Sequence, residues 1–471
     1  MLGKISAYCL CVMSLCCATA HAQSIGQMTL ISLENLDAFQ NPGKNWNISS
    51  DALADYTKDQ DIKSIPGKGA VVNILIKGDN TPLTTKESFG DVQIELDFMM
   101  TKNSNSGVYL EGRYEVQLLD SWRNLHPTYA DCGGIYQRWD DARGANNEGY
   151  EGIPPLMNVA KAPGLWQHLL IKFRAPKFNN KGEKIANARF DEVYLNGTLI
   201  QIQSSVTGPT RASLYNDEKP TGPLVLQGDH GNVAFRNIRY GAINEKPVEM
   251  SIDNPITISA DGKPYLLRSF LNYGDKKLTH VISAGYPNQL NYSYDLKQGS
   301  LFQIWRGGFL DVTDMWHERG EPQLAKPLGS VIVLSDAPAL AVLEDAQSSW
   351  PDSIAFDDFH NEGYTLDENR FPAFAYSVNG VHVTDKISAP NATSLVRQLD
   401  VTNAPANFYC RIANANNIEM IGKDLYAVDG KSYYINVADS FKPIIRQMQK
   451  GKELIVALQA NTSSLIYSIT W

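Results

Sequence analysis

The sequence predicts an all-β protein. Short runs in which apolar and polar residues alternate recur through both halves of the chain. Gly, Pro and Asn separate these runs, and helical periodicity is scarce. Repeats of this kind suit a β-sandwich or barrel, because each strand offers one apolar face to a shared core.

The elements follow in order. Met1 to Ala22 reads as a secretory signal peptide: Lys4, an apolar run from Ile5 to Ala20, then a small-x-small site at Ala20-His21-Ala22. It predicts a bacterial periplasmic or secreted protein. The run is too short for a membrane span, and no later stretch is long and apolar enough for one. Strands are predicted at Val92–Phe98, Tyr114–Leu119, His168–Phe173, Val193–Leu195 and Val233–Arg236, with a hairpin turn at Asn196-Gly197. A domain boundary is predicted at Asn244 to Val248, giving a signal peptide over 1–22, a first domain over 23–245 and a second over 246–471. Beyond it, strands are predicted at Tyr265–Leu271, His280–Ser283, Ser300–Trp305, Ser330–Leu334, Ser432–Val437, Glu453–Leu458 and Ser464–Ile469. Pro327 to Gly329 reads as a turn, Ser348 to Arg370 as a long surface excursion, and Asp439 to Lys450 as one modest helix.

Composition narrows the function classes. The formal net charge is −9, and no basic run or basic aromatic face is present, which argues against nucleic acid as a partner. Four of the 6 cysteines lie in the leader, and Cys132 and Cys410 read as buried free thiols. The chain must therefore be held by ordinary hydrophobic cores, and 471 residues allow more than one.

The segment from Asn105 to Ser121 carries the most chemistry. Alternation places Arg113, Glu115 and Gln117 on one face of a strand and Tyr114, Val116 and Leu118 on the other. A cation, a carboxylate and an amide on one face suit a cleft that grips hydroxyls. A solvated strand with a local Arg–Glu pair explains them equally well.

This segment resembles the signature of the 3-keto-disaccharide hydrolase family. Cys132 to Tyr136 is similar to the family's glycine-rich strand, and Ala162 to Gln167 to its Pro-Gly-x-Trp turn. Val193 to Gly197 is similar to its Asn-Gly hairpin. Gly222 to Gly231, followed by Val233 to Ile238, is similar to its closing motif. The resemblance runs across residues 28–242. It implies a concanavalin-like jelly-roll β-sandwich with a sugar site on the concave sheet, followed here by a second β-rich sandwich domain. It also implies a substrate: an oligosaccharide or glycoside oxidised at C3.

The chemistry that substrate needs can be set out. A C3 ketone acidifies the hydrogen on C2. A base that removes this proton gives an enolate, which expels the C1 substituent, and water then adds. Such a site needs one base, donors near the enolate oxygen and an acid for the leaving group. It does not need the opposed carboxylates of an ordinary glycosidase, and Gln117 stands where one of those would be expected. Glu115 is the first candidate for the base, and His230 is the second. Gln117, Tyr136 and Arg236 are candidate donors to substrate, Arg113 and Gln227 further substrate-binding candidates, and Trp166 a candidate stacking platform. Each has a plain alternative: His230 shaping a turn beside Asp229, Arg236 pairing across strands, Trp166 in a core. Asp131, Asp140, Asp141 and Glu148 match no calcium loop, the histidines have no zinc spacing, and no metal or cofactor is predicted.

The second half is dense in aromatics, with Trp305, Trp316 and His317 fitting either a sugar groove or a structural core. Three functions remain: an enzyme cleaving 3-keto-glycosides, a non-catalytic carbohydrate-binding protein, and an envelope scaffold on an inherited fold.

Overall fold

A computed structural model describes residues 28–243, 255–316 and 323–471. The leader, the predicted boundary at Asn244 to Val248, and His317 lie outside these residues.

The first half is a sandwich of two antiparallel sheets. The back sheet has 8 strands and runs Thr198–Val206, Ala188–Leu195, Trp166–Arg174, Val92–Met100, Val233–Gly241, Lys63–Asn73 and Trp46–Leu53, with Thr29–Leu30 beside Val233–Gly241. The front sheet has 5: Phe39–Gln40, Leu83–Phe89, Gly222–Leu226, Asn105–Leu110 and Tyr114–Leu119. Period-two alternation decides what lies between them. Ile94, Leu96, Phe98, Leu169, Ile171, Phe173 and Phe235 point inward from the back sheet. Val108, Leu110, Tyr114, Val116, Leu118 and Leu226 meet them from the front. The non-sequential strand order gives the jelly-roll character. Asn196 and Gly197 take φ values of 51° and 79°, so the predicted hairpin turn forms with both residues left-handed.

The second half is also β-rich, with sheets of 6, 4 and 8 strands. Its largest sheet is an antiparallel series from Phe359–Leu366 to Ile418–Gly422. Several sequence expectations are corrected here. Asp439 to Lys450 is not a helix: a single 3-10 turn, Asp439–Phe441, leads into the strand Ile444–Met448. Pro327 to Gly329 lies inside the strand Lys326–Val333. The stretch from Ser348 to Arg370 supplies an edge strand, Phe359–Leu366. Trp316 is 67% exposed and anchors no core, whereas Trp305 is fully buried. Cys132 and Cys410 are buried free thiols.

The halves pack closely. One buried cluster contains inward residues of the first sandwich together with Tyr434, Tyr467 and Trp471. Tyr56 stacks on Tyr434 with centroids 5.4 Å apart. Trp166 donates its backbone N–H to the Lys431 carbonyl at 3.1 Å. Among the described residues, no helix is long and apolar enough to cross a membrane.

Candidate active site

The front sheet's outer face holds the most acid–base chemistry. Asn105–Leu110 and Tyr114–Leu119 form a hairpin in which Tyr109 faces Glu115 and Gly107 faces Gln117. The tight turn needs left-handed backbone at Glu111 (φ 57°) and Gly112 (φ 65°). Alternation then sends Gly107, Tyr109, Glu115 and Gln117 outward together. The free edge of this hairpin is covered. Gly133 donates to the Gln117 carbonyl at 2.8 Å, and Gln117 to that of Gly134 at 2.8 Å. Tyr136 donates to the Glu115 carbonyl at 3.1 Å. Cys132 to Tyr136 is thus a loop laid along the hairpin with one bridge, Val116 to Ile135, rather than the strand expected.

Glu115 is only 2% exposed. Its carboxyl lies across Gly107, where any Cβ would collide with Oε1. It bonds the Tyr109 hydroxyl, and Gln117 turns its amide N–H to Oε1 at 3.1 Å. Burial pushes the carboxyl up to about 8; the Tyr109 hydrogen bond opposes the rise and the negative charge of Asp229 adds to it. The Tyr109 hydroxyl is itself held far above the usual range, first by burial and then by Glu115, so it stays a donor. Tyr136, half-buried, is raised by burial and by Glu115, with a hydrogen bond from Arg211 opposing. Tyr129 packs edge-on against Tyr136 at 5.8 Å, and Arg211 lies 3.8 Å over the Trp139 ring.

At the rim, His230 Nδ1 sits 2.7 Å from Asp229 Oδ1 and 3.2 Å from Gln227 Nε2. His230 is about half exposed, at 53%. Gln227 is pinned beside Gly107 by its backbone N–H, 2.9 Å from the Gly107 carbonyl. Its Oε1 is buried with no hydrogen-bond partner among the described residues.

Of the residues singled out from the sequence, Glu115, Gln117, Tyr136, Gln227 and His230 come together here. Arg113 does not serve this site. Its Nη2 and Nε bond Asp217 at 2.6 Å each, and Nη1 bonds the Glu111 carbonyl at 2.8 Å, so its donors tie down a loop. Trp166 and Arg236 are on the wrong sheet. Both project from the outer face of the back sheet, with the Arg236 guanidinium 4.0 Å over the Trp166 ring. The core of the sandwich separates them from Glu115. Three of the four acidic loop residues are engaged locally. Asp131 accepts from Asn124 and Thr128, Asp140 from Ala142 N, and Asp141 from Trp139 Nε1.

Tyr109, Gly107, Arg211 and Asp229 were missed as members of the site. The first two were within reach of the sequence. Extending the alternation of Glu115 back across a three-residue turn puts Tyr109 opposite it. Arg211 arrives on a distant loop, and no local pattern marks it.

Residues 33–240 match the family model of the 3-keto-alpha-glucoside-1,2-lyase-like domain. No functionally curated protein matches the chain. Two crystal structures of proposed glycosyl hydrolases from Parabacteroides distasonis are similar to part of it. One is 23% identical, covers 46% of this chain and 84% of its own, and has a TM-score of 0.32. The other is 19% identical, covers 46% and 100%, and scores 0.31.

Proposed function

Taking residues 33–240 as a 3-keto-alpha-glucoside-1,2-lyase-like domain, we propose that the protein cleaves glycosides carrying a ketone at C3, with Glu115 as the base. The observation that carries this reading is the buried Glu115 carboxyl, raised to about 8 among hydroxyl and amide donors. A base works best when its pKa lies near the working pH.

In this reading the ligand enters over Tyr136 and His230 and displaces solvent from the rim. Gln227 Oε1 accepts a sugar hydroxyl. The Glu115 carboxylate takes the C2 proton, and the electron pair moves into the C2–C3 bond and onto the ketone oxygen. Tyr136, polarised by Arg211, donates to that oxygen. The C1–O bond breaks with its electron pair on the leaving oxygen, and His230 supplies a proton there. Water adding at C1, with the proton returned to C2, makes the net change hydrolysis. Release before water adds makes it elimination. The protein works outside the cytoplasm in this reading, and recovery of the activity from the periplasmic fraction tests that part.

A second reading rests on Asp229. Its charge raises Glu115, and a protonated Glu beside an ionised Asp is the arrangement of an ordinary glycosidase. One experiment separates the two. The protein is incubated with a 3-keto-disaccharide and with its unoxidised parent. We expect cleavage of the keto sugar alone, with a kcat that climbs about tenfold per pH unit and levels near the Glu115 pKa. Glu115→Gln should lower kcat by roughly 100-fold or more. Cleavage of the parent, lost in Asp229→Asn, would install the second reading. Tight binding without turnover of either sugar would leave a carbohydrate-binding protein.

A further inference from the structure

The outer face of the back sheet, across the sandwich from Glu115, is covered by the second half of the chain. The cover leaves a cleft of about 420 Å³ lined by Asp97, Lys161, Trp166, His168, Arg236 and Tyr433, among others. That is within the range of small-molecule sites.

Nearly every charged group there is spoken for. Asp97 receives His168 Nδ1 at 2.9 Å, Asn237 Nδ2 at 2.7 Å and Arg236 Nε at 3.2 Å. His168 Nε2 reaches Glu95 at 3.1 Å. Lys431 is bonded to Asp51, which also accepts from Trp166 Nε1 at 3.0 Å. Asp429 accepts the backbone N–H of Asn416 at 2.7 Å. Lys161 is different. Its backbone N–H is fixed by Gln167 Oε1 at 2.8 Å, yet among the described residues its amine has neither a hydrogen bond nor an ion pair. Two lysines line one cleft; one is tied to a carboxylate and the other has no partner among the described residues.

We propose that Lys161 captures a carbonyl: its amine condenses with the ketone or aldehyde carbon of a sugar-sized ligand in this cleft to give a Schiff base. The step needs an unpaired amine, a nearby proton donor and a fixed negative charge, and the cleft has all three. Burial also pushes the amine down to about 8, with Asp97 opposing, so a usable share is uncharged near neutral pH. The Nζ lone pair attacks the carbonyl carbon, and the C=O π pair moves to oxygen. One amine proton passes to that oxygen, giving a carbinolamine. The His168 imidazolium, which Asp97 holds protonated above the usual histidine range, supplies the second proton. Water leaves, and the remaining N–H stays on the iminium, whose charge Asp97 balances. Nothing is oxidised or reduced.

The choice of a keto sugar as ligand rests on the function proposed above; the capture itself does not. The full chain is incubated with sodium cyanoborohydride and either a 3-keto-glucoside or dihydroxyacetone, which has no glycosidic bond to cleave. Peptide mass spectrometry then locates reduced adducts. With both probes, Lys161 should label at least ten times faster than the exposed Lys86, and Lys161→Arg should lose the adduct. Labelling no faster than Lys86, with either probe, overturns the proposal. Because wild-type labelling is read within a single peptide map, a poorly folding variant leaves the test intact. Absence of glycoside cleavage would count against the Glu115 reading alone, since the dihydroxyacetone adduct is scored separately.

Discussion

Glu111 shows what burial does to a single residue. It sits at the hairpin turn, 1% exposed, with neither carboxyl oxygen bonded. Burial pushes its carboxyl up to about 8, with Arg113 pulling the other way. It is therefore neutral in the fold at pH 7 and ionised in the unfolded chain. The sign follows from linkage. Stability held by the neutral form is full below the unfolded pKa near 4.5 and is lost as pH rises through about 8. Glu111→Gln cannot ionise. Relative to wild type it should gain stability, on the order of a few kcal/mol, between pH 4 and pH 9. Urea unfolding at both pH values checks this; parallel curves for the two proteins would refute it. Glu115 obeys the same rule, so its site is held at some cost to stability at alkaline pH.

The hairpin that carries Glu115 is the element whose geometry matters most. Its register puts Gly107 opposite Gln117, and the Glu115 side chain crosses the space a Cβ would fill. Gly107 has ordinary extended backbone, so Gly107→Ala is a steric change rather than a conformational one. We expect it to displace the carboxylate from Tyr109 and to cost about 1–3 kcal/mol of stability. Activity should fall more than that loss explains at temperatures where the variant remains folded. A variant with full kcat would show that the carboxylate's seat does not matter. Most of this hairpin was legible in the sequence. Alternation gave the faces, and Glu115 and Gln117 were found by it. Arg113 was misplaced because alternation gives direction but not partners, and Asp217 comes from far along the chain. Asp439 to Lys450 holds a strand rather than the helix expected because Ile444–Met448 pairs with Gly451–Ala457, a partner that local sequence does not show.

At the scale of the whole molecule, the two halves share a core. Tyr434 stacks on Tyr56, and its hydroxyl donates to the Pro163 carbonyl at 3.2 Å. Arg306, buried without a carboxylate partner among the described residues, lies 5.6 Å from the ring of Trp122 and 5.8 Å from that of Trp471. Because apolar burial runs through both halves, they should unfold as one unit. Tyr434→Ala should cost about 3–5 kcal/mol. By calorimetry the wild type should give a single transition, and the variant a lower or split one. Two independent transitions in the wild type would show that the shared core contributes little.

The sequence by itself determined the β-class, the alternating faces, the Asn196-Gly197 turn and the Glu115–Gln117 pair, since period-two patterning and turn chemistry are local properties. Its motifs also marked the stretch that matches the family model. Only the tertiary structure decided which outward faces became sites. It separated Trp166 and Arg236 from Glu115, because the two sheets of a sandwich turn their outer faces in opposite directions. It buried Glu115 and set the half-buried Lys161 in a cleft, and so moved both toward neutral pH, because desolvation depends on what the rest of the chain packs against them.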